Sequence, residues 1–280
     1  MAAVPPQHGW FTIPRMETPR TLPLVLAVGG HDPSGGAGIQ ADIETLAANG
    51  CRALSVVTAL TTQNTCGVSR VLPQPAEQVV EQIRLLLEES PVAAIKVGML
   101  GAGTTARALA GLLGGCPDIP VVLDPVLAAG SGGALAEQDL MPALLEDLLP
   151  CCTLITPNSE EARRLSGRQD LADCAARLIQ QGCASVLITG THELEEQVTN
   201  RLYSLGGPLA AWDWPRLEGS YHGSGCTLAA AVAAGLGHGL SVPEAAALAQ
   251  QFTWDALANA LSTGRCQHTP DRFHRFEDRP

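Results

Sequence analysis

The stretch HGSGC, residues 222–226, carries the strongest chemical signal in the chain. Two glycines flank a serine where a tight turn hands over to a run of small helix formers. The first amides of a helix have no intrahelical acceptor and carry partial positive charge, so a glycine turn that leaves them unshielded can hold an anion. Gly223 and Gly225 are the candidate anion hole, and the same helix dipole would lower the pKa of the Cys226 thiol beside it. An anion site with an adjacent base is the chemistry this spacing favours; the plainer alternative is a buried cysteine that starts a helix.

Four other groups of residues invite a chemical reading. The loop GGHDPSGGAG, residues 29–38, is glycine-rich, so its backbone can approach a ligand closely, and Asp42 lies one helical turn beyond it. TTQNTCG, residues 61–67, offers the planar amide of Gln63, which can present a donor and an acceptor together to the edge of a heterocycle. KVGML, residues 96–100, puts Met99 at a strand end, where its thioether packs either in the core or on a flat ring. PNSEE, residues 157–161, opens a helix. Its acidic residues complement the helix dipole, or else Asn158 and Glu161 arrange water around a divalent cation; spacing alone favours the first. The familiar phosphate motifs are absent: there is no GxxxxGK[ST], and AAGSGGAL lacks the third glycine of GxGxxG.

Those residues need a frame. Short apolar runs at 22–28, 53–60, 93–97, 121–123, 153–155 and 185–188 read as buried strands, and 197–204 with 209–214 as a hairpin around Gly206-Gly207. Helical patterns fill 39–49, 75–89, 104–113, 139–149, 159–165, 171–181, 225–237 and 242–261. Strands alternating with helices predict an α/β fold with a mostly parallel sheet covered on both faces, and ligands of such folds sit beyond the carboxyl ends of the strands. Asp32, Gln63, Met99, Asp124 and Asn158 all follow strands directly. Residues 1–20 are Pro-rich and without periodicity, and read as a disordered extension with Met16 as an alternative start. Residues 21–265 form the domain, and the polar tail 266–280 is expected to fray.

Bulk composition narrows the partners. The 280 residues are 46% hydrophobic, which suits one packed domain, and 17 basic against 28 acidic side chains give a net charge of −11. An acidic chain without a Lys/Arg-rich block argues against nucleic acid and anionic membranes as partners. No apolar run reaches the length of a membrane span. Nine cysteines, none in a CxxC pair, and no visible signal peptide lead to the expectation of free thiols in a reducing cytoplasm.

GGHDPSGGAGIQAD, TALTTQNT, KVGML, LDPV, TPNSEEA and HGSGCT also follow one another in a known order and spacing. Over residues 22–260 the chain resembles the hydroxymethylpyrimidine/phosphomethylpyrimidine kinases of thiamine biosynthesis, within the ribokinase-like superfamily. The resemblance implies a three-layer α/β/α sandwich that uses ATP and Mg²⁺. The substrate would be 4-amino-5-hydroxymethyl-2-methylpyrimidine and then its monophosphate. Carried over motif by motif, Asp42 and Gln63 would bind the pyrimidine, with Gly30, Met99 and Val126 lining the same pocket. Asn158 and Glu161 would match an NxxE motif that organises Mg²⁺ and the ATP phosphates, with Ser224 and Thr189 on the nucleotide side. Asp124 would sit by the metal, with Glu161 acting through water. Gly223 and Gly225 would form the anion hole, with Cys226 where most related kinases keep an aspartate base. The resemblance also implies a homodimer. One departure stands out: Thr189-Gly190-Thr191-His192 replaces a Lys-Gly-Gly-His run whose lysine helps to hold the phosphates. That change motivates a rival from another class, a non-catalytic pyrimidine-binding protein. The nearer rival is a pyridoxal kinase of the same fold.

Overall fold

The computed structural model describes residues 21–126 and 139–276. The proposed extension 1–20 with Met16, the AAGSGGAL segment and residues 277–280 lie outside them. Nine strands form one sheet in the order β3-β2-β1-β4-β5-β6-β7-β8-β9. The central six run parallel: β2 (Arg52–Asn64), β1 (Leu24–His31), β4 (Val92–Val97), β5 (Val121–Leu123), β6 (Leu154–Ile155) and β7 (Ser185–Ile188). Antiparallel strands close both edges, β3 (Gly67–Pro73) at one and β8 (Gln197–Ser204) with β9 (Gly207–Pro215) at the other.

The central strands read as unbroken apolar runs because both faces are covered. Successive side chains alternate between two cores. Leu26, Val28, Ile95, Val97, Leu123, Ile155, Val186 and Ile188 meet α2 (Ala76–Glu89), α3 (Gly103–Leu113), α5 (Ser159–Ser166) and α6 (Leu171–Gln180). Val25, Ala27, Ala94, Val122, Leu154 and Leu187 meet α1 (Gly38–Ala48), α7 (Ser224–Gly237) and α8 (Val242–Ala258). The three-layer architecture expected from the alternation of elements is present. The alanine-rich sequence of α7 serves close approach: a Cβ on Gly237 would stand 3.0 Å from Val25 Cγ2, and one on Gly235 2.8 Å from Ala245 Cβ.

Several expectations are corrected. The strand expected over 53–60 does not end before Gln63, because β2 continues through Asn64 and turns into β3 as a hairpin. The helix expected over 139–149 begins as α4 (Leu140–Ala143) but widens into a π turn, Leu144–Leu148, and ends in the 3₁₀ turn Leu149–Cys151. The thiols are not all free. Cys66 at the hairpin tip and Cys266 form a disulfide spanning 200 residues. The described part of the tail, residues 266–276, is attached rather than frayed. His268 and Thr269 bridge to Tyr221 and Leu261, Asp271 N donates to Ala256 O at 2.9 Å, and Arg272 is 1% exposed. Among the described residues no helix is long and apolar enough to cross a membrane.

Candidate active site

The carboxyl ends of β1, β4 and β5 and the amino ends of α1 and α7 converge on one spot. Its base is a buried charge cluster. Lys96, 1% exposed near the end of β4, places Nζ 2.9 Å from Asp42 Oδ1 and 3.7 Å from Asp124 Oδ2. Burial pushes the Asp42 carboxyl up to about 6, against the pull of Lys96, so it is ionised at neutral pH. Burial opposes the charge on Lys96 too, but Asp42, Cys226 and Asp124 outweigh it and its pKa is raised. Lys96 was not among the site residues expected from sequence. Nothing in KVGML separates a buried lysine from a surface one, because its partner Asp42 is 54 residues away.

Around that cluster stand the residues expected to hold a ring. A Cβ on Gly30 would meet the terminal methyl of Met99 at 2.2 Å, and one on Gly29 would lie 3.6 Å from Asp42 Oδ2. Gly30, Met99 and Asp42 are therefore one wall, and a side chain at position 30 would displace the flexible end of Met99. Gln63 lies half-buried on the β2–β3 hairpin, tied to the same rim where Thr61 Oγ1 donates to His31 O at 2.9 Å. Val126, half-buried, follows Asp124 and donates its N–H to Asp124 O at 2.9 Å.

The first glycine loop is held by Asp32, which accepts from Ser34 N, Ser34 Oγ and Ala37 N, each at 2.8 Å. Burial works against its charge, but the bonds from His222, Ser34 and Ala37 prevail and hold it down at about 2. An acid that strong is an acceptor, so His222 Nε2, 2.8 Å from Oδ2, is the donor and latches this loop to the second one.

Gly223 starts α7 with φ +88°, a left-handed conformation suited to glycine, and no side chain caps the helix. A Cβ there would stand only 1.9 Å from Gly36 O, so the two glycine loops are pressed together. The uncapped amides are what an anion hole requires. Asp124 lies alongside, with Oδ1 3.7 Å from where a Gly225 Cβ would be.

Cys226 departs from expectation. Burial pushes its thiol up to about 12; Lys96 opposes this, while Asp124 and Asp42 reinforce it. The helix dipole expected to yield a thiolate is overridden by desolvation beside two carboxylates, so the residue is a neutral thiol at physiological pH.

A second group forms where β6 and β7 end. Asn158 bridges to Thr189, Ser159 N donates to Thr189 O and Thr189 N to Pro157 O, both at 3.0 Å. Asn158 and Glu161 form a capping box: Glu161 N donates to Asn158 Oδ1 at 2.8 Å and Asn158 N to Glu161 Oε2 at 3.0 Å. Thr156 N, donating to Leu123 O at 2.9 Å, connects this group with the strand that carries Asp124.

For a hard divalent cation, the fitting feature is Asp124 Oδ2, a buried carboxylate oxygen with no hydrogen-bond partner. Among the described residues no three His, Cys, Asp or Glu side chains converge into a protein-only metal cage. A cation here would complete its shell with water and phosphate oxygens, as Mg²⁺ commonly does.

An open, mostly parallel sheet with glycine loops at its carboxyl end, an uncapped helix start for an anion and a carboxylate beside it fits a small-molecule phosphotransferase. The comparisons give the family. Residues 32–271 match the family model described as phosphomethylpyrimidine kinase, and the chain belongs to that family. It is 38% identical over 262 residues to the hydroxymethylpyrimidine/phosphomethylpyrimidine kinase of Rhizobium meliloti (strain 1021), covering 90% of this chain and 98% of the relative. Among solved structures, the phosphomethylpyrimidine kinase from Clostridium difficile 630 superposes with a TM-score of 0.73 at 30% identity, covering 85% of this chain and all of that one. The pyridoxal kinase from Staphylococcus aureus in complex with AMP-PCP superposes with a TM-score of 0.81 at 28% identity, covering 92% and 96%.

Proposed function

We propose that this chain transfers the γ-phosphoryl group of ATP to the hydroxymethyl oxygen of 4-amino-5-hydroxymethyl-2-methylpyrimidine, and then a second one to the monophosphate, giving the diphosphate used to build thiamine. The observation that carries this reading is the uncapped glycine turn of α7 set against the Asp42–Lys96–Asp124 cluster. The Asp42 carboxylate accepts from the ring's amino group and Gln63 reads its edge, while Gly30, Met99 and Val126 enclose the ring. Gly223 and Gly225 stabilise the transferring phosphoryl group with backbone amides. Asn158, Thr189 and Ser224 are assigned to the ATP side. Mg²⁺, held by Asp124 and through water by Glu161, would neutralise charge on the ATP phosphates.

Phosphoryl transfer through a loose transition state depends on alignment and charge neutralisation more than on a strong base. In the first transfer the hydroxymethyl oxygen bonds to phosphorus as the bond to ADP breaks, and its proton passes late to an oxygen of the transferred phosphoryl group rather than to Cys226. A neutral Cys226 therefore suffices. In the second transfer the nucleophile is already a phosphate oxygen with no proton to remove, and a neutral thiol does not repel it as a carboxylate would. The missing lysine at 189 leaves the anion-hole amides and Asp124 in place, which favours a working kinase over a passive binder. We also read the enzyme as a homodimer, on the family resemblance; sedimentation equilibrium checks the dimer. The expectation of a reducing cytoplasm rests on free thiols, and the Cys66–Cys266 disulfide removes part of that support.

One observation favours a second reading: the S. aureus pyridoxal kinase in complex with pyridoxal superposes with a TM-score of 0.82, above the 0.73 of the pyrimidine kinase. ADP release from Mg-ATP with each substrate decides between them. The expected result is a higher kcat/KM for the pyrimidine alcohol; a higher value for pyridoxal would replace the proposal.

A further inference from the structure

Arg272 belongs to the tail, yet its guanidinium contacts the machinery at the head of the sheet. It is 1% exposed. Nε donates to Thr227 Oγ1 at 3.0 Å, Nη1 to Glu44 Oε2 at 3.0 Å and Nη2 to Gly36 O at 2.5 Å. The acceptors come from α7, α1 and the first glycine loop, and none comes from the tail itself. Two of them lead directly to the anion hole. Thr227 Oγ1 donates in turn to Gly223 O at 2.9 Å. Gly36 O is the atom that a Cβ on Gly223 would strike at 1.9 Å. The Gly36 carbonyl is thus wedged between Gly223 and the guanidinium, and its charge-assisted bond to Arg272 holds it there. His222 and Asp32 latch the same pair of loops at their other edge.

We propose that Arg272 is a positioning residue for phosphoryl transfer. By fixing Gly36 and Thr227 together, it holds the anion-hole amides of Gly223 and Gly225 in register with the substrate wall at Gly30 and Asp42. Its planar fork of donors reaches three acceptors in three directions, which a lysine ammonium cannot reproduce. Its three donor nitrogens are all engaged by protein acceptors, so it acts through them. Its effect falls on the transition state, where a small displacement of aligned donors lowers the rate while ground-state binding persists.

The inference rests on the reading of the glycine turn as the phosphoryl site, and one experiment separates the two. Arg272→Lys is assayed beside the parent enzyme with Mg-ATP and both pyrimidine substrates, with turnover expressed per folded molecule from near-UV circular dichroism. The expected result is a fall in kcat of more than about fivefold in both transfers, with KM for ATP and for pyrimidine within about twofold. A residue that only docks the tail would lower the melting temperature and leave kcat per folded molecule in place. A smaller fall in kcat, or a loss confined to KM, overturns the inference while the parent's turnover upholds the glycine-turn reading. A parent without turnover defeats that reading and this inference with it. If Arg272→Lys does not fold, Thr227→Val, which removes the hydroxyl between Arg272 and Gly223, is judged by the same split.

Discussion

On the proposed reading, Cys226 matters for the charge it does not carry. Desolvation beside Asp42 and Asp124 pushes its thiol up to about 12, so this residue adds no negative charge to repel a phosphate. Replacing it with a permanent carboxylate should separate the two reactions: Cys226→Asp is expected to slow the second transfer by about tenfold more than the first, the cost of like charges at close range. Equal slowing of both would show that charge at this position does not discriminate. Asp42 brings a pH dependence. Its folded value of about 6 lies above the ordinary 3.8, so the folded protein takes up a proton more readily than the unfolded chain between these values. Stability therefore falls as pH rises from about 4 to about 6, and ionised Asp42 is carried as a cost above that. Recognition runs the other way, because the protonated acid has lost its charge and is a weaker acceptor for the ring's amino group. KM for the pyrimidine should rise as pH falls through about 6, and Asp42→Asn should remove that step while leaving any step due to the substrate's own titration. A step unchanged in Asp42→Asn would take Asp42 out of the recognition role. The close backbone approach at Gly223 was legible in the sequence because glycine spacing marks it, whereas the pyrimidine role of Asp42 and the match of Cys226 to an aspartate base came from the family resemblance. Lys96 and Arg272 were not legible. A buried cation looks like a surface cation until its partner is known, and Arg272 finds Glu44 across 228 residues.

At the scale of elements, the two glycine loops and the tail form one junction. The loop after β1 and the start of α7 are pressed together at Gly36 and Gly223, and the tail closes over them with Arg272. The exposed disulfide Cys66–Cys266 ties that tail to the tip of the β2–β3 hairpin, the hairpin on which Gln63 lies. The cross-link closes a segment of 200 residues, so opening it should cost about 2–4 kcal/mol, mostly through the freedom regained by the unfolded chain. Cys266→Ser is expected to lower the urea midpoint accordingly, and an unchanged midpoint would mean that the tail docks without the bond. The parallel strands were readable as apolar runs because both their faces are buried. β3 was missed because GVSRVLP is an edge strand with Ser69 and Arg70 exposed and a proline at its end. The tail was misread because its attachments reach residues distant in sequence, among them two isolated bridges, a disulfide, the bond from Asp271 N to Ala256 O and one buried arginine. Local polarity conceals contacts of that kind.

At the scale of the molecule, the sheet makes the site by converging its parts. Asp42, Lys96 and Asp124 come from α1, β4 and β5, and the anion-hole turn comes from 223–225, close to 100 residues beyond Asp124 in sequence. The right-handed crossovers of a parallel sheet deliver strand ends and helix starts to one edge, so chemistry scattered along the chain meets there. On the proposed reading, the glycines and the cysteine stand where a small alcohol and a nucleotide phosphate face each other. Whether that place transfers phosphate twice is read most directly by ³¹P NMR of the enzyme with Mg-ATP and the pyrimidine alcohol. The expected course is a monophosphate resonance that rises and then yields to a diphosphate, with two ADP formed for each alcohol consumed. No ADP formation, or a reaction that stops at the monophosphate with ATP still present, would contradict it.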